Sequence, residues 1–215
     1  MNVLLLGSGG RESALAWKIS QSKHCSELFI APGNGGTFQF GKNIQIQVAD
    51  FENIASFCLE NNVEIVVVGP EDPLVKGISE FFRNRDSLSH IIIIGPDSKG
   101  AQIEGSKAFS KAFMQKYNIP TAAYKSFNSE QADEAKEFLR SLESPYVIKA
   151  DGLAAGKGVV ICNNLDEADE AIESMLLNKI FGEAGSNIVI EEFMHGIEMS
   201  VFVLSDGKNY IVLPD

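Results

Sequence analysis

Two lysines and three glycines crowd into "YVIKADGLAAGKGVVI", residues 146–161. Lys149 lies inside an apolar run, where an ammonium must either reach out to water or meet a negative group. Asp151, Gly152, Gly156, Lys157 and Gly158 follow before the next apolar run. Backbone amides unshielded by side chains, next to cations, suit a phosphate. The spacing is not that of the P-loop G-x-x-x-x-G-K-[ST]. Gly152 to Gly156 is one residue short, Gly158 stands where the hydroxyl belongs, and a strand follows where a helix should. The segment reads as a strand–loop–strand clamp over phosphates, with a mobile hairpin carrying solvated lysines as the alternative.

A second group sits in "VIEEFMHGIEMSV". Glu191 and Glu192 close an apolar strand, Phe193 and Met194 follow, and Glu198 comes after Gly196. An apolar pair beside backbone amides can hold a purine, and a carboxylate can accept from ribose hydroxyls. An acidic strand end with core Phe and Met is the other reading, and His195 reads as a surface turn residue. Lys107 opens a helix, where a cation is electrostatically unfavourable. That favours a role for it over a solvated lysine.

The third group opens the chain. In "VLLLGSGGRESALAW" an apolar strand breaks into Gly7, Gly9 and Gly10 and enters a helix, the pattern that puts a phosphate on a helix N-terminus. A dinucleotide fingerprint needs a third glycine, and Glu12 occupies its place. It also needs an acid roughly twenty residues on, where the chain reads Ile30-Ala31-Pro32-Gly33. The phosphate logic survives and the dinucleotide does not.

Elements that would carry these groups follow from periodicity. "NVLLL", "ELFIA", "IQIQV", "EIVVVG" and "HIIIIG" read as strands buried on both faces, and "RESALAWKIS", "FENIASFCLEN" and "PLVKGISEFFRNR" as helices between them. Such alternation predicts an α/β fold with a doubly wound parallel sheet. Four loops rich in Gly and Pro ("GSGG", "APGNGG", "VGPEDPL", "IGPDSKG") fall on its C-terminal edge, where ligands bind in open sheets. After Gly105 the pattern changes. A helix "SKAFSKAFMQKY" is expected, then helices at about 130–142 and 166–178, and strands "YVIKA", "VVICN", "NIVIEEFM" and "EMSVFVLSDGKNYIVLPD", the last folded back at Asp206-Gly207. The chain stops at Asp215 in mid-sheet, which reads as a cut.

A net charge of −11 argues against nucleic acid, which requires a basic stripe. No apolar run approaches a membrane span and no export signal opens the chain, so a cytoplasmic protein is expected. Cys25, Cys58 and Cys162 show no metal spacing and read as reduced thiols. His24, His90 and His195 are scattered, so no metal site is expected within these residues.

Seven blocks in order — "GSGGRESALAW", "APGNGGT", "VGPEDPLVKGI", "IGPDSKGAQIEGSKAF", "NIPTA", "VIKADGLAAGKGV" and "IVIEEFMHGIEMS" — closely resemble the phosphoribosylamine–glycine ligase family, ATP-grasp enzymes of purine biosynthesis. The resemblance spans the chain and covers about the first half of such an enzyme. It implies a pre-ATP-grasp substrate domain over 1–104. An incomplete ATP-grasp domain over 105–215 would follow, with a lid at about 120–188 and the start of a second lobe at 189–215. It implies ATP phosphates at Lys107, Lys149 and the loop Asp151–Gly158, adenine at Glu191, Glu192, Phe193 and Met194, and ribose at Glu198. It implies a sugar phosphate on Gly9, Gly10, Arg11 and Glu12, with Asn34, Pro70 and Glu71 on the same edge. Glycine would be activated as glycyl phosphate and captured by the amine of phosphoribosylamine. Magnesium or manganese would be held by residues beyond Asp215, and a monomer is expected. The family usually has His where this chain has Ser13. Without the metal ligands the isolated chain is expected to be inactive, its alternatives being a non-catalytic nucleotide-binding fragment or another ATP-grasp ligase.

Overall fold

The apolar runs Val3–Leu6 and Leu28–Ala31 are continuous because both of their faces are covered, whereas in the last run Ile92 and Ile94 are exposed. In a computed structural model, which describes residues 1–154 and 156–213, the chain begins β1 (Asn2–Gly7), α1 (Gly10–Ser20), β2 (Glu27–Pro32), β3 (Lys42–Asn43). It continues α2 (Phe51–Glu60), β4 (Val63–Val68), α3 (Asp72–Val75), α4 (Ile78–Arg83) and β5 (Ile92–Ile94). The five strands are parallel and ordered β3-β2-β1-β4-β5. Alternate residues of β1 serve different layers. Leu4 and Leu6 join a cluster with Ile54 and Cys58 of α2 and Ile78 and Phe82 of α4, while Val3 and Leu5 pack with Ala16 of α1. This is the doubly wound α/β layer, and its strand order reverses between β1 and β4, so the crevice lies where their C-terminal ends part.

The chain crosses to a second layer through α5 (Ser98–Gly105) and α6 (Lys107–Lys116), with Ser106 extended between them. There β6 (Tyr124–Asn128), α7 (Ala132–Leu139), β7 (Tyr146–Ala150), β8 (Val159–Cys162), α8 (Leu165–Ile172) and β9 (Asn187–Glu192) form a four-stranded antiparallel sheet ordered β6-β9-β7-β8. One face, carrying Phe127, Ile148, Ile188 and Ile190, is covered by α7 and α8. The opposite face presents Lys149 and Glu191. A separate hairpin, β10 (Val203–Ser205) and β11 (Tyr210–Val212), closes the described chain, and its strand residues are exposed. No helix among the described residues is long and apolar enough to cross a membrane.

Several boundaries differ from the sequence expectation. "IQIQV" pairs only at Lys42 and Asn43, before the apolar run itself. The strand beside it ends at Pro32, which has no N–H to donate, and the Asn43 side chain is drawn aside to the Asn34 carbonyl at 2.9 Å. The Ile44 N–H still reaches the Ile30 carbonyl at 2.9 Å, and Ile44, Ile46 and Val48 pack on the core beyond the paired residues. "PLVKGISEFFRNR" is two helices because Gly77, at φ +87°, breaks it. The helix expected to reach residue 178 becomes a π turn over Glu173–Leu177, and that expected at 130–142 is a 3-10 turn followed by α7. "EMSVFV" contributes only its last residue to a strand, and the terminal Pro214 and Asp215 lie outside the described residues.

The thiols are separate and reduced. Burial pushes the Cys58 thiol up to about 12 and raises that of Cys162, whereas Cys25 is partly exposed. Titration of the native chain with a disulfide reagent at neutral pH is expected to modify Cys25 first. Cys58 should react only after denaturant is added, since the thiolate is the nucleophile. Prompt reaction of Cys58 in the native chain would contradict its burial.

Candidate active site

The first loop is organised by a buried acid. Glu12, only 5% exposed, is the third residue of α1 and accepts the N–H of Gly9 at 2.6 Å. It is the carboxylate half of a capping box. Its side chain fills the space beside Gly7 and Gly69. A Cβ on Gly7 would stand 2.5 Å from the Glu12 Cγ, and one on Gly69 would strike the carboxylate itself. Glu12 thus turns inward into the space between the ends of β1 and β4, leaving the next amides of the α1 N-terminus free for a ligand. Arg11 spans that crevice on the outside. It donates to the Gly69 carbonyl at 2.8 Å and lies 3.6 Å from the Glu71 carboxylate, with its side chain two-thirds exposed.

Asn34 is occupied internally. Its amide donates to the carbonyls of Ser8 (2.9 Å) and Gly9 (3.2 Å), and its oxygen accepts from Gly36 and Thr37. Ser13 also meets this amide at 3.0 Å, so the residue that departs from the family pattern helps to join the two glycine loops. Pro70 and Glu71 follow Gly69, and Glu71 immediately precedes α3 without a side-chain cap bond to it.

The second constellation forms where α6 meets the loop after β7. Ser106 caps α6 by accepting the Phe109 N–H and donates to Asp151 at 3.0 Å. Asp151 in turn accepts the Ala108 N–H at 2.7 Å. Lys107, half-buried, points its ammonium at the carbonyls of Asp151 (3.4 Å) and Gly152 (3.2 Å). Burial pushes this ammonium below its ordinary value, against the pull of Asp151 and Glu104. The root of the glycine-rich loop is therefore pinned to the helix that supplies the lysine. Gly152 sits so close to Ala184 that a Cβ would come within 2.9 Å of the alanine Cβ. Ala155 lies outside the described residues.

Lys149 meets Glu191 at 2.9 Å because the antiparallel register of β7 and β9 sets them diagonally on one face. Glu192 accepts the Ala123 N–H at 2.8 Å. Phe193 packs on the His195 ring, centroids 4.9 Å apart, while Met194 and Glu198 are exposed. The apolar pair is thus adjacent but not closed into a slot. A small cleft of about 140 Å³ is lined by Glu71, Glu104 and Lys107 together with Gly156 and Gly158 of the glycine-rich loop. Lys157, on the same loop, is exposed.

Lys111 carries no distinctive motif, yet it is buried against Glu191 at 3.3 Å. One signal marks it. Lys107 and Lys111 are like charges four apart on a helix, a repulsive pair unless something separates their surroundings.

Residues 105–215 match the family model of the phosphoribosylglycinamide synthetase ATP-grasp (A) domain, and residues 1–104 that of the phosphoribosylglycinamide synthetase N domain. The chain belongs to the phosphoribosylglycinamide synthetase family. It is 50% identical over 216 residues to the phosphoribosylamine–glycine ligase of Pseudomonas aeruginosa, covering 100% of this chain and 48% of that protein. The crystal structure of phosphoribosylamine–glycine ligase from Thermotoga maritima superposes with a TM-score of 0.76 at 32% identity, over 100% of this chain and 49% of the other. A carboxyaminoimidazole ribonucleotide synthase from Aspergillus clavatus, complexed with ATP, shares the fold at a TM-score of 0.73 and 16% identity, over 99% of this chain and 52% of that one. This member of the synthetase family spans about half the length of the curated relatives it matches.

Among the described residues no group of three or more His, Cys, Asp or Glu side chains is placed to hold a metal ion. The donors present do not fit a divalent-cation site, and no step below is routed through one.

Proposed function

We propose that the chain holds ATP and a sugar phosphate on the two sides of one cleft. It would serve the reaction named for its relatives, the joining of glycine to 5-phosphoribosylamine to give glycinamide ribonucleotide, ADP and phosphate. The observation that carries this reading is the cleft that Lys107 and the glycine-rich loop share with Glu71, which follows β4.

On the nucleotide side, Lys107, Lys149 and the amides of 151–158 meet the phosphates, with Lys157 at the rim. Adenine lies along Glu191–Met194, and Glu198 accepts from the ribose. Positive charge and fixed dipoles are what a transferring phosphoryl group needs. A glycine carboxylate oxygen attacks the γ-phosphorus, the bond from that phosphorus to the bridging oxygen breaks, and ADP leaves. The amine of phosphoribosylamine then attacks the acyl carbon of glycyl phosphate. Inorganic phosphate departs, and the nitrogen loses a proton to give the amide.

On the other side, the 5-phosphate rests on Gly9, Gly10 and the following amides, with Arg11 at the rim and Pro70 and Glu71 along the edge. Glu12 and Asn34 contribute by holding these loops. Residues 1–104 form the substrate domain in this reading and 105–215 belong to the ATP-grasp domain, with 120–188 as its smaller lobe. The relatives are about twice as long, so nucleotide binding without turnover is the expectation for the 215 residues alone. A glycine-dependent release of ADP by this chain would overturn that part.

Binding is tested directly. Saturating ATP is expected to raise the melting temperature, a ligand at a hundred times its Kd adding about 2.7 kcal/mol. No shift with ATP would remove the basis of the reading. The Lys107 ammonium offers a second check. Its value is depressed in the unliganded chain, and polyphosphate next to it favours the charged form. ATP binding should therefore raise the pH at which this ammonium titrates, seen as proton uptake on binding in the alkaline range where Lys107 of the free chain is partly deprotonated, and lost in Lys107→Met.

A further inference from the structure

Three charges converge on a single oxygen. Glu191 Oε2 receives Lys149 at 2.9 Å and Lys111 at 3.3 Å, and the carboxylate is only 4% exposed. Two ammoniums on one carboxylate leave an excess positive charge in a nearly dry place, which is unfavourable unless a further anion completes it.

The two lysines are not equivalent. Lys111 comes from α6, lying across the sheet, and is 6% exposed. It also donates to Thr121 Oγ1 at 2.8 Å and to the Ala122 carbonyl at 3.3 Å, so two of its N–H groups are hydrogen-bonded while Glu191 stands at ion-pair distance. Lys149 bonds to Glu191 alone among the described residues. Its side chain is 27% exposed, and it lies at the end of the strand that leads into the glycine-rich loop. The inner ammonium is the more fully engaged, with two hydrogen bonds against one, and the outer has more donors to spare.

We propose that Lys111 is a positioning residue, which neutralises Glu191 so that Lys149 can meet a phosphate instead of being held as that carboxylate's sole counter-ion. The proposal rests on the nucleotide reading above. Without Lys111, an incoming phosphate would compete with a buried carboxylate for Lys149. With it, the carboxylate is already satisfied and serves only to aim the outer lysine.

The test uses calorimetric titration of the whole chain with ATP, ADP and adenosine, the last read by competition. Lys111→Met keeps the apolar stem and is expected to weaken ATP by about tenfold or more while changing adenosine by no more than about twofold. Lys111→Arg should retain most of the ATP affinity. The double variant Lys111→Met/Glu191→Gln, which restores the local charge by removing the carboxylate's own, should recover most of what the single variant lost. Equal weakening of ATP and adenosine, or a double variant worse than the single, would overturn the proposal and leave the nucleotide site standing. Failure of the unaltered chain to bind ATP would overturn both. Should Lys111→Met not fold, Glu191→Gln decides. It must bind ATP at least as tightly, relative to adenosine, as the unaltered chain, and weaker relative binding counts against the proposal.

Discussion

Lys149→Met is expected to weaken ATP binding by about 10- to 100-fold, the effect of losing one charge-assisted hydrogen bond of about 1.5–3 kcal/mol. The fold should survive the change. Lys111 remains on Glu191, so the carboxylate keeps a counter-ion, and the most expensive consequence of breaking a buried pair is avoided. Calorimetry against ATP, with the melting temperature of the unliganded variant as the control for folding, reads both effects. Because the lost contact is to phosphate, adenosine binding should change little. An ATP affinity equal to that of the unaltered chain would remove Lys149 from the site.

The second large effect belongs to the other sheet. Gly69→Ala is expected to destabilise the chain by about 2–4 kcal/mol, combining the strain of overpacking with loss of the carboxylate cap on Gly9. A methyl at this position would strike the Glu12 carboxylate, which is buried beside Gly7 and Gly69 and could move away only by giving up its bond to the Gly9 N–H. Urea denaturation measures the loss. Glu12→Ala also costs stability, by emptying the same space and leaving the Gly9 N–H without its acceptor. In the double variant the two costs should add to less than their sum, since each change removes the partner that the other offends. Full additivity would mean that the clash is relieved elsewhere.

Much of the architecture was legible because its signals are local. The first-layer runs such as "NVLLL" and "EIVVVG" are apolar without alternation, as strands buried on both faces must be. The glycine loops sit at strand ends where a turn and an approaching ligand both need them. Lys149 announced a partner simply by being a lysine in an apolar strand, and Glu191 is that partner. The misplaced boundaries have local causes too, in Pro32 beside β3 and Gly77 between α3 and α4, whose effects on pairing and helix continuity outweigh apolar periodicity.

By itself, then, the sequence determined the α/β class, the two glycine loops at strand ends and the lysine that must reach either water or an anion, because these depend on residue type and spacing along the chain. Tertiary structure alone decided which charges share a space. Lys111 looks like any lysine on an amphipathic helix until α6 is laid across β7 and β9 and buries it on Glu191. Glu12 looks like a first-turn acid facing a ligand until β4 brings Gly69 against it and turns it into a latch. Both outcomes depend on segments more than fifty residues apart in the chain, and no local pattern encodes which neighbour will arrive.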